Sequence, residues 1–220
     1  MKLVLCSEGF HAPNAVEKCV ELVGKPQDQI KVGIINEAYA AEPGDKRWVL
    51  DNLNSVVNNF SSEVDMINLL AFPIEQIEQR FADKDVIFVV GGDTDYLMSV
   101  YQKTGFDKLL PKLLETKVYV GSSAGSMVIG KRVSADAYRL IYSEDSKYEV
   151  NEYLGLVDFS VMPHLDSPNF PNRKESLLEA VSNFEGKVYG LRDDSAVVID
   201  GDNIYTIGSE PVIIEKESSA

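Results

Sequence analysis

The 220-residue sequence predicts an α/β fold, a mostly parallel sheet covered by helices on both faces and finished by C-terminal antiparallel edge strands. Two observations carry this. Up to residue 121, short β-branched runs bounded by polar residues or glycine alternate with helical patterns, and their continuous apolar character suits strands buried on both faces. Beyond about residue 150 the rhythm changes to short strands in quick succession, as in an antiparallel meander at the sheet edge.

In chain order the predicted strands are KLVLC (2–6), KVGII (31–35), VDMINL (64–69), VIFVV (86–90) and KVYVG (117–121). Helical patterns fill the gaps at 13–23, 45–60, 73–81 and 94–115, the last split by Gly105, since glycine weakens a helix interior and commonly ends one. FSVMP (159–163) and a helix near 172–184 follow. KVYGL, SAVVID, NIYTIG and PVIIEK close the chain, with the turn Asp200-Gly201-Asp202-Asn203 joining two of them. No repeat, low-complexity tract or linker interrupts this order, so residues 1–220 read as a single domain with a frayed EKESSA tail.

Charge and composition narrow the function. The 35 acidic against 21 basic residues give a net charge of -14, which repels phosphate backbones and anionic lipid and excludes a nucleic-acid partner. The apolar run in MKLVLCSEGF is too short for a secretory segment, and no later stretch approaches the roughly 20 apolar residues of a membrane span, which points to a cytoplasmic protein without a membrane partner. Cys6, in the first strand, and Cys19, on the next helix, then read as buried small hydrophobes and not as a disulfide.

The chemistry centres on KVYVGSSAGSMVIG (117–130). Gly121-Ser122-Ser123-Ala124-Gly125 matches G-x-S-x-G between a strand and a helix start, a turn that forces its central serine out over the carboxyl edge of the sheet. The neighbours must be small because the turn crowds itself. The Ala124 N–H at the helix start can face the oxygen of an attacked carbonyl. A second strand-to-helix turn, Gly91-Gly92-Asp93-Thr94, lies at the same edge, offers further backbone amides, and has Asp93 or Thr94 as the helix cap.

A serine nucleophile needs a base, and the chain has only His11 and His164. His164 follows the strand FSVMP in the turn-forming MPHLDSPNF, whereas His11 lies in the loop after the first strand. An acid placed between Ser123 and His164 would be Asp136, Glu144 or Asp145, but that stretch is too short for the elements an α/β-hydrolase places there. The order serine, histidine, acid leaves Asp193 and Asp194, expected at the end of the strand KVYGLR, where alternation lets only one of them face the histidine. Two distant histidines outside an H-E-x-x-H setting give no zinc peptidase site, and the chemistry calls for no cofactor.

Four motifs in order, VVGGDTDYLM (89–98), VGSSAGSMV (120–128), VMPHLD (161–166) and GLRDDSAVV (190–198), resemble the aspartyl dipeptidase and cyanophycinase family of serine peptidases. The resemblance runs through most of the chain and implies a fold related to class I glutamine amidotransferases, with serine where those enzymes carry cysteine. It implies Ser123 as nucleophile, His164 as base, Gly92 and Ala124 amides as the oxyanion hole, and Asp193 as the orienting acid, with Asp194 as the alternative. Those dipeptidases have glutamate in a G-L-P-E-G setting where this chain has G-L-R-D-D. Arg173, early in the helix after His164, falls in the region where they bind the substrate's N-terminal aspartate. A small peptide substrate is thus expected, for a monomer or homodimer. An esterase or an inactive binding protein on the same scaffold are the rival readings.

Overall fold

A computed structural model describes residues 1–143, 145–180 and 186–216. Its strands are β1 (Lys2–Cys6), β2 (Lys31–Ile35), β3 (Glu63–Met66), β4 (Val86–Val89), β5 (Val118–Ser122), β6 (Phe159–Met162), β7 (Gly186–Gly190), β8 (Ala196–Asp200), β9 (Asn203–Ile207) and β10 (Val212–Lys216). Seven of them form the main sheet in the order β3-β2-β4-β5-β1-β8-β9, parallel from β3 to β1 and antiparallel thereafter.

The unbroken apolar runs of the sequence are explained by two core layers. Leu3, Leu5, Ile87, Val89 and Tyr119 face one layer, while Val4, Cys6, Val86, Phe88, Val118 and Val120 face the other. This is the two-residue alternation of a strand with both faces buried, each fully buried side chain contributing about 1.5–3 kcal/mol. The helices α1 (Ala15–Val23) and α2 (Arg47–Asn59) cover the second layer through Ala15, Cys19, Leu22, Val49 and Val56. Three more, α3 (Ile74–Phe81), α4 (Thr94–Thr104) and α5 (Phe106–Leu113), cover the first through Ile77, Phe81, Leu97, Tyr101, Phe106 and Leu110. Gly105 separates the last two helices at φ +78, the left-handed stop that glycine adopts without strain. Both cysteines are free and buried, and burial pushes the Cys6 thiol up to about 12, so neither is reactive at neutral pH.

Two parts of the chain depart from expectation. The C-terminal strands are not one meander: only the β8–β9 hairpin extends the main sheet, and β7 and β10 form a second sheet, β10-β7-β6, with β7 parallel to β6. The free edge of β1 accepts a single neighbour, β8, and the turn at 191–195 carries the chain from one sheet to the other. A short helix over 135–142 was not anticipated. Ser134 caps it by accepting the Ala137 N–H, and Ala137 and Ile141 are its buried face. Among the described residues this helix, α7 (Ala135–Tyr142), stands between α6 (Ala124–Met127) and α8 (Arg173–Glu179). The C-terminal end of the helix expected near 172–184, from 181 onward, lies outside the described residues, as do Glu144 and residues 217–220 of the tail. No helix among the described residues is long and apolar enough to cross a membrane.

Candidate active site

The serine elbow forms where β5 runs into α6. Ser123 sits at φ 50, ψ −111, a conformation few residues adopt, and its N–H donates to the Cys6 carbonyl at 3.1 Å. The flanking glycines are required by close approach. A β-carbon at 121 would stand 2.6 Å from the Gly125 carbonyl, and one at 125 would stand 2.4 Å from the Val89 carbonyl oxygen. The other serines of the motif are otherwise engaged: Ser126 is buried with its hydroxyl donating to Cys6 O at 2.7 Å, and Ser122 is a buried residue of β5.

From the second sheet comes the partner. His164 follows β6 in the left-handed region at φ +66 and places Nε2 3.0 Å from Ser123 Oγ. Its Nδ1 lies 2.6 Å from Asp193 Oδ1, and Phe170 stacks on the ring at a centroid distance of 5.0 Å. Burial alone would raise the Asp193 carboxyl. The hydrogen bond and charge of His164, with hydroxyl bonds from Ser167 and Ser7, outweigh it and hold the group below its ordinary value.

The strand alternation expected at 193–194 is absent, because both residues lie in the turn closed by Ser195 N–H to Arg192 O at 3.0 Å. The separation of roles has another cause. Asp194 turns away and accepts the Ser209 hydroxyl at 2.7 Å. Of the acids between Ser123 and His164, Asp136 and Asp145 pair with the exposed Arg139. Asp166 accepts the Asp193 N–H at 3.2 Å. His11 pairs with Glu8 at 3.6 Å, and that partnership, outweighing partial burial, raises its pKa.

Gly92 lines both cavities onto which Ser123 opens, and Ala124 follows the serine in the chain. Gly92 takes φ +137, and a β-carbon there would meet the Ala38 carbonyl at 2.3 Å, so only glycine fits. Ala124 opens α6, where an N–H has no intrahelical acceptor. Asp93, not Thr94, caps α4 by accepting the Tyr96 N–H at 2.8 Å.

Two cavities open onto Ser123 and His164. One, of about 420 Å³, has Arg173 in its wall beside Tyr138, Tyr142 and Asn172. Arg173 is 7% exposed and lies between the rings of Tyr142 and Phe170 at 4.6 and 4.5 Å, with no carboxylate paired to it among the described residues. The other, of about 480 Å³, is bordered by Trp48, Glu8, Asp45 and Arg47. Sequence reading missed Tyr142 and Phe170, whose aromatic character carries no positional pattern until α7 and the 164–173 loop are folded against each other. No cluster of potential metal ligands occurs among the described residues.

A serine on a strand-to-helix elbow, hydrogen-bonded through histidine to a carboxylate at the carboxyl edge of an open parallel sheet, has the form of a serine hydrolase. The comparisons with known proteins narrow that class. The chain belongs to peptidase family S51, whose family model matches residues 15–207, and it is accordingly a serine peptidase. It is 32% identical over 151 residues to an uncharacterized peptidase of Listeria monocytogenes, covering 65% of this chain and 70% of that one. Peptidase E of Streptomyces coelicolor is 28% identical over 148 residues, covering 64% of this chain and 59% of its own. The fold matches a crystal structure of a candidate peptidase E from Listeria monocytogenes, with a TM-score of 0.75 at 23% identity over 95% of this chain and 98% of that one. A peptidase from an acI-B1 Actinobacterium gives 0.67 at 18% identity, covering 94% and 87%. The architecture these structures share with this chain is an α/β fold, here a seven-stranded, mostly parallel sheet.

Proposed function

We propose that this peptidase hydrolyses small peptides bearing an N-terminal acidic residue, through an acyl-enzyme on Ser123. The observation that carries the reading is the hydrogen-bonded chain from Ser123 Oγ through His164 to Asp193. His164 takes the hydroxyl proton as Oγ attacks the peptide carbonyl, and the Gly92 and Ala124 amides receive the developing oxyanion. His164 then protonates the leaving amine, and water repeats the sequence on the ester. Asp193 keeps the imidazole in the tautomer that presents Nε2 as acceptor.

Arg173 supports the acidic preference. A guanidinium that is buried and unpaired with a carboxylate among the described residues is incompletely compensated until an anion arrives, and the substrate's carboxylate supplies one. The cavity bordered by Trp48 then takes the other residue of the peptide. A dipeptide series tests this. Asp-X should be cleaved at least about 100-fold more efficiently than Asn-X, and Arg173→Met should remove most of that difference while leaving slow Asn-X turnover in place, since unpairing a desolvated charge costs about 3–5 kcal/mol. An equal loss on both substrates would assign Arg173 to the fold and not to selectivity.

A further inference from the structure

The carboxyl end of β1 holds every member of the proposed triad, through two adjacent residues. The Cys6 carbonyl accepts the N–H of Ser123 at 3.1 Å and the hydroxyl of Ser126 at 2.7 Å, which fixes the elbow. Ser7, the next residue, is fully buried, and its hydroxyl makes two contacts: it accepts the backbone N–H of His164 at 2.9 Å and donates to Asp193 Oδ1 at 3.3 Å. Its own N–H donates to Ser195 O at 3.0 Å, tying it to the turn that carries Asp193.

His164 and Asp193 follow β6 and β7 of the second sheet, whereas Ser123 follows β5 of the main sheet. Proton transfer therefore depends on how the two sheets are set against each other. His164 also sits in the left-handed region, where a non-glycine residue persists only if its surroundings hold it. We infer that Ser7 is a positioning residue for the hydrolytic reaction, its hydroxyl locking the His164 backbone and the Asp193 carboxylate to the sheet that carries the nucleophile. A single oxygen suits this because a hydroxyl donates and accepts at once, whereas a carboxylate only accepts and an ammonium only donates. The inference rests on the reading of Ser123, His164 and Asp193 as the reacting array.

Ser7→Ala deletes that oxygen and little volume. It should lower kcat by about 10- to 100-fold with KM within about twofold, because ground-state binding does not use the hydroxyl. In an Asp193→Asn background the same change should cost less than about threefold, since groups acting as one unit are not additive. Wild-type kcat in Ser7→Ala, a loss confined to KM, or a full multiplicative loss in the Asp193→Asn background would each overturn the inference. Thermal melting is followed in parallel, and if the alanine variant does not fold, Ser7→Cys is judged by the same criteria. Failure of both to fold would assign the hydroxyl to the fold and also overturn it. Ser123→Ala is the control: turnover retained there sinks the nucleophile assignment itself, whereas an inactive Ser123→Ala beside an unaffected Ser7→Ala sinks only the role of Ser7.

Discussion

Ser123 and His164 both occupy backbone conformations with positive φ, at 50° and 66°, and the two meet at 3.0 Å. Strain of this kind is retained where the surroundings over-determine it, and here Cys6 and Ser7 do so. The two candidate acids make different contacts. Asp193 faces His164 Nδ1 while Asp194 is bound to Ser209, so Asp193→Asn should lower kcat by about 10⁴-fold, as when an orienting aspartate becomes an amide that holds the wrong tautomer. Asp194→Asn should stay within about tenfold, and steady-state kinetics at neutral pH with the two proteins checks the ranking. The Ser123–His164 pairing was legible in the sequence because G-x-S-x-G has steric requirements and only two histidines were available. Ser7 was not, since a serine after a strand has no distinguishing pattern and its partners lie far away in sequence.

At the scale of elements, the parallel strands and their helices were readable because β1, β2, β4 and β5 are apolar on both faces and each helix on one, whereas the edge strand β3 leaves Glu63 and Met66 exposed. What failed was the pairing of the last strands, which local pattern does not encode: β7 and β8 are consecutive yet lie in different sheets. The helix α7 also escaped, although it carries two tyrosines of the Arg173 cavity. The segment after α6 is anchored through Asp95 near the start of α4. Its carboxylate accepts from Arg132 Nη2 at 2.8 Å, from Tyr153 Oη at 2.8 Å and from the Ser146 hydroxyl. Burial would raise the Asp95 carboxyl, but Arg132, Ser146 and Tyr153 outweigh it and hold the pKa below its ordinary value. A carboxyl depressed in the folded state stabilises the protein above its unfolded pKa of about 3.9, and that contribution disappears as pH falls through the folded value. Asp95→Asn should therefore cost about 3–5 kcal/mol at pH 7, where Arg132 loses its buried partner, and the gap to wild type should begin to narrow as pH falls below about 3.9. Denaturant melts across pH 3 to 7 measure it, and a gap independent of pH would mean that packing, not charge, makes the tie.

Across the whole molecule, the second sheet brings a histidine and an aspartate over the carboxyl edge of the first, and the seam between them is where the two cavities meet. Neither sheet alone holds the proposed triad. Covalent labelling tests whether Ser123 is the nucleophile and His164 activates it. The folded protein is exposed to a fluorophosphonate and the modified residue is located by peptide mass spectrometry, with Ser123→Ala and His164→Ala as comparisons. One adduct is expected, on Ser123, absent in Ser123→Ala and slowed at least about 10³-fold in His164→Ala, because removal of the base strips the serine of its activation. Adduct formation on Ser122 or Ser126, or labelling of Ser123 at the wild-type rate without His164, would contradict it.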